Sequence, residues 1–94
     1  PEVVDLVADV MRHWLRRGIA GWRLDVAYAV PTQFWAEVTD RVRQEFPRAI
    51  FLGEMIHGDY VGFADASHLD STTEYELWKA IWSSIHDTNL WELA

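Results

Sequence analysis

Two short apolar segments, residues 19–27 and 49–53, each follow directly on a stretch of helical periodicity, and this alternation constrains the fold more than any other feature. Upstream of the first, residues 2–17 place Val3, Leu6, Val7, Val10, Met11, Trp14 and Leu15 at intervals of three and four. That spacing predicts an amphipathic helix, with Glu2 and Asp5 in its first turn, Arg16 and Arg17 in its last, and Gly18 as its stop. Between the two apolar segments, Pro31 introduces a second helix over 32–46, with Phe34, Trp35, Val38, Val42 and Phe46 as its stripe and Pro47 closing it. Segments 19–27 and 49–53 are too short and too apolar for further helices and read as buried strands. The order helix, strand, helix, strand with short joints predicts an α/β fold with parallel strands and crossover helices.

The pattern dissolves over 55–69, where Gly58, Asp59, Gly62 and Asp65 predict a loop on the carboxyl side of the second strand. Residues 70–73 allow a very short third strand. Residues 74–85 carry Leu77, Trp78, Ile81, Trp82 and Ile85 at helical spacing, and 89–94 read as the start of another helical piece. Trp14, Trp35, Trp78 and Trp82 lie on helical stripes and are expected in the core.

Half the residues are apolar and six are tryptophan, enough to bury a core in one globular unit, and no break in composition divides the chain. The net charge of −7, with eight scattered Lys and Arg residues, disfavours a nucleic-acid groove and suits neutral or polar ligands. Without cysteine, neither a disulfide framework nor a thiolate metal site can form. No apolar run approaches the roughly 18 residues of a membrane span. The chain opens at Pro1-Glu2 and closes at Leu93-Ala94 with neither an initiator Met nor a linker-like tail, which sets the expectation of a segment of something longer.

Packing does not explain Arg23, Asp25 or Glu54. Arg23 and Asp25, two apart in the first strand segment, point to one face, with Trp22, Leu24 and Val26 on the other. Charges in an apolar strand cost several kcal/mol each unless paired. A guanidinium beside Asp25 compensates and favours the ionised, nucleophilic carboxylate, although a structural ion pair fits these two residues equally well. Glu54 taken alone reads as a solvated loop carboxylate or a helix N-cap partner, but it ends the second strand as Asp25 lies near the end of the first, and parallel α/β folds bind ligands at the carboxyl ends of their strands. Neighbouring strands stand about 4.8 Å apart, which suits the separation of about 5–5.5 Å between the two carboxyl groups of a retaining glycosidase.

The stretch Gly21-Trp22-Arg23-Leu24-Asp25-Val26-Ala27 resembles the fourth-strand signature of the alpha-amylase superfamily, glycoside hydrolase family thirteen, and Phe51-Leu52-Gly53-Glu54 resembles its fifth-strand signature. The region Tyr75-Glu76-Leu77-Trp78-Lys79-Ala80 is similar to the sixth barrel helix of maltogenic and cyclomaltodextrinase-like members, so the resemblance spans nearly the whole chain. It implies a partial catalytic domain over residues 1–94: a segment of a TIM (β/α)8 barrel running roughly through helix 3, strand 4, helix 4, strand 5, a short strand 6 and helix 6. It also implies hydrolysis of α-glucosidic bonds in starch or maltodextrins by double displacement. Asp25 would be the nucleophile, Glu54 the general acid and base, and Arg23 the residue that orients and ionises Asp25.

His57 falls where related members place a residue on the acceptor side of the cleft, and Tyr28 and Tyr60, on the loops after the two strands, are candidates for stacking on sugar; loop or packing roles remain open for all three. Tyr28-Ala29 stands where many alpha-amylases have Lys-His and cyclomaltodextrinase-like members Asn-Glu, which leaves the subfamily open. Hydrolase, transglycosylase and isomerase share this strand machinery. A non-catalytic carbohydrate-binding relative, or a structural fragment, is the other class of reading.

No organic cofactor is implied. Family members often bind calcium, but these residues show no acidic loop with calcium-ligand spacing, so no metal is expected on this segment, and the resemblance leaves room for calcium only elsewhere in a longer parent. The family's third-strand motif has no place here, and His86-Asp87, which follows a helical pattern, is expected at a helix end rather than as the seventh-strand His-Asp pair. The segment alone is expected to be inactive and to self-associate through unpaired strand edges. A maltooligosaccharide or α-glucan is the expected partner, with neither nucleic acid nor membrane.

Overall fold

A computed structural model describes residues 2–94. Helix α1 (Glu2–Arg16) leads into strand β1 (Gly21–Leu24), a 3-10 turn (Ala27–Ala29), helix α2 (Thr32–Glu45) and strand β2 (Ile50–Gly53). Helix α3 (Tyr60–Ser67), strand β3 (Ser71–Thr72), helix α4 (Tyr75–His86) and a terminal 3-10 turn (Leu90–Leu93) complete the chain. The strands form one parallel sheet in the order β1-β2-β3, with Arg23 opposite Leu52 and Leu24 opposite Gly53.

Helices cover one face of this sheet. Phe51, fully buried, sits at the centre, with Val4, Ala8, Met11 and Leu15 from α1 and Trp35, Val38 and Val42 from α2 packed around it. The other face is open: Arg23 and Ile50 are exposed and Leu52 is half-buried. Alternation along the strands therefore separates a covered apolar face from one that carries the charged residue.

Two glycines permit this packing. A Cβ at Gly21 would lie 2.0 Å from the Ile50 carbonyl oxygen, so only glycine allows β1 this backbone approach to β2. At Gly53, a Cβ would press on the Leu69 side chain at 2.6 Å, which keeps the position directly before Glu54 small.

The structure corrects three expectations. Residues 55–69 are not all loop, because 60–67 form α3. The Asp59 carboxylate caps that helix by accepting from Gly62 N at 2.9 Å, and His68 ends it in the left-handed conformation. Gly58 and Gly62 hid it, since glycine within a short segment reads as a loop signal. The first strand is shorter than 19–27: it stops at Leu24, and Val26 lies beyond it, exposed, at φ 50°. Of the four tryptophans expected in the core, Trp35 alone is buried. Trp14, Trp78 and Trp82 are exposed, because α1 turns its second apolar stripe outward and α4 packs little against the sheet and the other α-helices.

Ion pairs join α1 to α2 along the rim of the core. Arg16 chelates Glu45 at 2.8 and 2.7 Å, and Arg41 pairs with Asp5. Hydrogen bonding from Arg16 holds the Glu45 carboxyl below its ordinary 4.5. A depressed carboxyl favours the folded state above the unfolded value and loses that contribution as pH falls through the folded one. Acid titration followed by circular dichroism is expected to show stability falling below about pH 4.5. The Glu45→Gln chain is expected to lack that part of the pH dependence.

Candidate active site

β1 and β2 end side by side and in register, so the residues after them emerge at one end of the sheet. Asp25 follows Leu24 and Glu54 follows Gly53. Arg23 reaches both: its Nη1 donates to Asp25 Oδ1 at 2.7 Å, and its Nη2 lies 3.1 Å from Glu54 Oε1. One planar guanidinium thus holds two carboxylates from adjacent strands, using the fork geometry that distinguishes Arg from Lys. The hydrogen bond to Asp25, with the charges of Glu54 and Asp25 adding to it, raises the Arg23 pKa further and keeps the guanidinium charged.

The two acids differ in exposure. The Asp25 side chain is 73% exposed, whereas that of Glu54 is 16% exposed and fixed from several sides. Glu54 N donates to Leu24 O at 2.9 Å and Tyr28 N donates to Glu54 O at 3.4 Å, which locks the backbone of β2's end to β1's. Val26 N donates to Glu54 Oε2 at 2.7 Å, and the Tyr75 hydroxyl lies 3.4 Å from Oε1. Thr73 clamps the next residue, with its Oγ1 accepting from Met55 N at 2.9 Å and donating to Met55 O at 2.7 Å.

Sequence reasoning assigned no role to Val26, Thr73 or Tyr75. Val26 is β-branched and sits at φ 50°, a conformation such residues avoid, and that strained turn aims its N–H at Glu54. No periodicity or motif announces a strained turn. Tyr75 and Thr73 lie about twenty residues from Glu54, and only the β2–β3 pairing brings them close.

The remaining candidates are on the same rim. Tyr28, in the 3-10 turn after β1, and His57, in the loop after β2, are exposed. Tyr60 is half-buried at the start of α3, its hydroxyl donating to Ile56 O at 2.8 Å, and desolvation raises its pKa. His86 ends α4 and its Nδ1 meets Asp87 at 2.8 Å, so this pair does occupy a helix end. Among the described residues, no three His, Asp or Glu side chains converge to hold a metal ion, and no helix is long and apolar enough to cross a membrane.

The family model for the alpha amylase catalytic domain matches residues 1–93. The chain belongs to the alpha-amylase family. Among similar curated proteins, Neopullulanase 2 of Thermoactinomyces vulgaris is 41% identical over 75 residues, covering 80% of this chain and 13% of that protein. A cyclomaltodextrinase from a Bacillus species is 35% identical over 82 residues, covering 86% of this chain and 14% of its own length. In structure, the chain superposes on the cyclic alpha-maltosyl-(1→6)-maltose hydrolase of Arthrobacter globiformis in complex with that sugar, with a TM-score of 0.83 and 29% identity. That match covers 95% of this chain and 20% of the hydrolase. This alpha-amylase-family chain therefore has an α/β fold that corresponds to part of the catalytic domain of its relatives.

Replacing Val26 with Gly removes a left-handed β-branched residue while keeping its N–H. The left-handed conformation costs an L-residue about 1–2 kcal/mol, and glycine gives back roughly 0.5–1 in backbone entropy. The Val26→Gly chain is expected to be more stable by about 0.5–1 kcal/mol in urea unfolding, with the hydrogen bond to Glu54 retained.

Proposed function

We propose that this chain supplies the nucleophile and the general acid of a retaining glycosidase acting on α-glucosidic bonds of maltodextrins or starch. One observation carries the reading: the Arg23 guanidinium joins Asp25 and Glu54 at the carboxyl ends of adjacent parallel strands. The names of the similar proteins, neopullulanase, cyclomaltodextrinase and a cyclic maltosyl-maltose hydrolase, agree with that substrate class. In barrel terms, β1, β2 and β3 stand for strands 4, 5 and 6, α1 and α2 for helices 3 and 4, α3 for helix 5, and α4 for helix 6.

Chemistry follows from the environments of the two acids. Asp25, exposed and paired to Arg23, is free to attack the anomeric carbon. As the C–O bond breaks, Glu54 gives its proton to the departing oxygen, leaving a glycosyl ester on Asp25. Glu54, now a carboxylate, then takes a proton from water, whose oxygen attacks the same carbon and frees Asp25. No organic cofactor takes part, and no metal is assigned to this segment. Tyr28, His57 and Tyr60 form the rim available to sugar, Tyr60 through its ring because its hydroxyl is committed to Ile56. Water, or a second sugar as in a transglycosylase, serves the same machinery; the cleft wall opposite this sheet selects between them.

The ninety-four residues alone supply one wall of a cleft. A third carboxylate to stabilise the oxocarbenium-like transition state, and an opposite wall to position the sugar, are both needed for turnover. The isolated chain is therefore inactive, and its open sheet face and strand edges drive self-association. Incubation with maltooligosaccharides is expected to release no sugar.

Within a complete enzyme carrying this segment, Asp25→Asn is expected to lower turnover by about 10⁴-fold or more. Glu54→Gln is expected to lose roughly 10²–10⁴-fold on substrates with poor leaving groups and far less on activated aryl glycosides. Steady-state kinetics on both substrate types decides the assignment, and near-normal turnover by the Asp25→Asn enzyme would overturn it.

A further inference from the structure

Asp25, Glu54 and Thr73 are each the first residue beyond a strand, and the register that sets Leu24 opposite Gly53 also sets Gly53 opposite Thr72. Thr73 therefore stands on the same rim as the two acids, one strand beyond Glu54. Its N donates to Gly53 O at 3.0 Å, and its Oγ1 accepts from Met55 N at 2.9 Å and donates to Met55 O at 2.7 Å. One residue thus holds the backbone on both sides of Glu54. Two residues on, at the start of α4, the Tyr75 hydroxyl lies 3.4 Å from Glu54 Oε1, the oxygen that also faces Arg23 Nη2.

These bonds pull in two directions. The N and O of Glu54 itself are bonded toward β1, to Leu24 O and Tyr28 N, whereas its neighbours Gly53 and Met55 are bonded toward Thr73. The backbone that carries the carboxylate is therefore fixed from both flanking strands. A general acid must meet the departing oxygen within about 2.6–3.2 Å, so a shift of about 1 Å in that backbone takes its proton out of range. Met55 is buried, 6% exposed, and its peptide groups need partners inside the protein. Without the Thr73 hydroxyl, the segment has to move to find others. Asp25 is held separately, by Arg23.

We propose that Thr73 and Tyr75 are positioning residues for the acid–base carboxylate, Thr73 through the backbone around Glu54 and Tyr75 through its Oε1. Both act through Glu54, so the inference rests on the reading of Glu54 as general acid and base. Because neither bonds Asp25, their loss impairs proton transfer and leaves attack on the anomeric carbon in place.

The test is made in the complete enzyme carrying this segment, on kcat/KM, which covers the steps up to release of the leaving group. Thr73→Val keeps the shape of the side chain and removes the hydroxyl. It is expected to lower kcat/KM about tenfold on maltooligosaccharides, whose leaving oxygen needs a proton, and less than about twofold on activated aryl glycosides, whose leaving group needs none. Thr73→Ser, which retains the hydroxyl, is expected to restore most of the loss. Tyr75→Phe, a change at an exposed position, is expected to show the same split at roughly threefold, and it is the deciding variant if Thr73→Val does not fold. Equal losses on both substrates, or no loss in either variant, overturns the positioning role, since a merely structural residue would not distinguish leaving groups. Glu54→Gln is measured alongside. If it shows no dependence on the leaving group, the reading of Glu54 falls and this inference with it; if it shows the split and Thr73→Val and Tyr75→Phe do not, the inference alone falls.

Discussion

Because position 21 carries no side chain, β1 can lie against β2 in a register that everything at the carboxyl end of the sheet inherits. A Cβ there would run into the Ile50 carbonyl. With Gly21 opposite Ile50, Arg23 falls opposite Leu52 and the two strands end together. Asp25 and Glu54 then leave adjacent strands at the same level, within reach of one guanidinium. A slip of one residue would turn the side chains of one strand to the opposite face and send Arg23 into the helix-covered core.

The charged cluster in turn depends on how differently its two acids are held. Glu54 is fixed by backbone bonds on both sides, by the N–H of a strained Val26 and by the hydroxyl of Tyr75. Asp25 has one strong partner, Arg23, and stands open to solvent. A group that exchanges protons at a fixed atom benefits from the first environment, and one that must approach carbon benefits from the second. The strain at Val26 is understandable on this basis, since the turn that carries it delivers a hydrogen bond no side chain supplies.

Coverage of the sheet is one-sided, and this joins the site to the rest of the surface. The core face is filled around Phe51, while the face bearing Arg23 and Leu52 is open, and α4 projects its tryptophans outward. An α/β sheet of this kind is ordinarily covered on both faces. Relatives about five to six times as long share this local fold and sequence, so one amino-acid pattern serves a chain in which further elements are available to cover what is bare here.

Much of the fold was legible in the sequence because periodicity and punctuation are local. Helices close to residues 2–16 and 32–45, a strand within each of the two apolar segments, though not where the first of them ends, and the neighbouring positions of Arg23, Asp25 and Glu54 all follow from spacing, Gly18, Pro31 and Pro47. α3 was hidden because its cap, Asp59, and its two nearby glycines look the same in a loop as at a helix start. Burial of the tryptophans was misjudged for a different reason: an apolar stripe shows that a face seeks cover, whereas its burial depends on whether another element lies opposite. The hydrogen bonds from Val26, Thr73 and Tyr75 around β2's end belong to tertiary structure alone. They join residues roughly twenty to thirty positions apart through one backbone turn and one strand pairing, and no local pattern of side chains encodes where a backbone N–H will point.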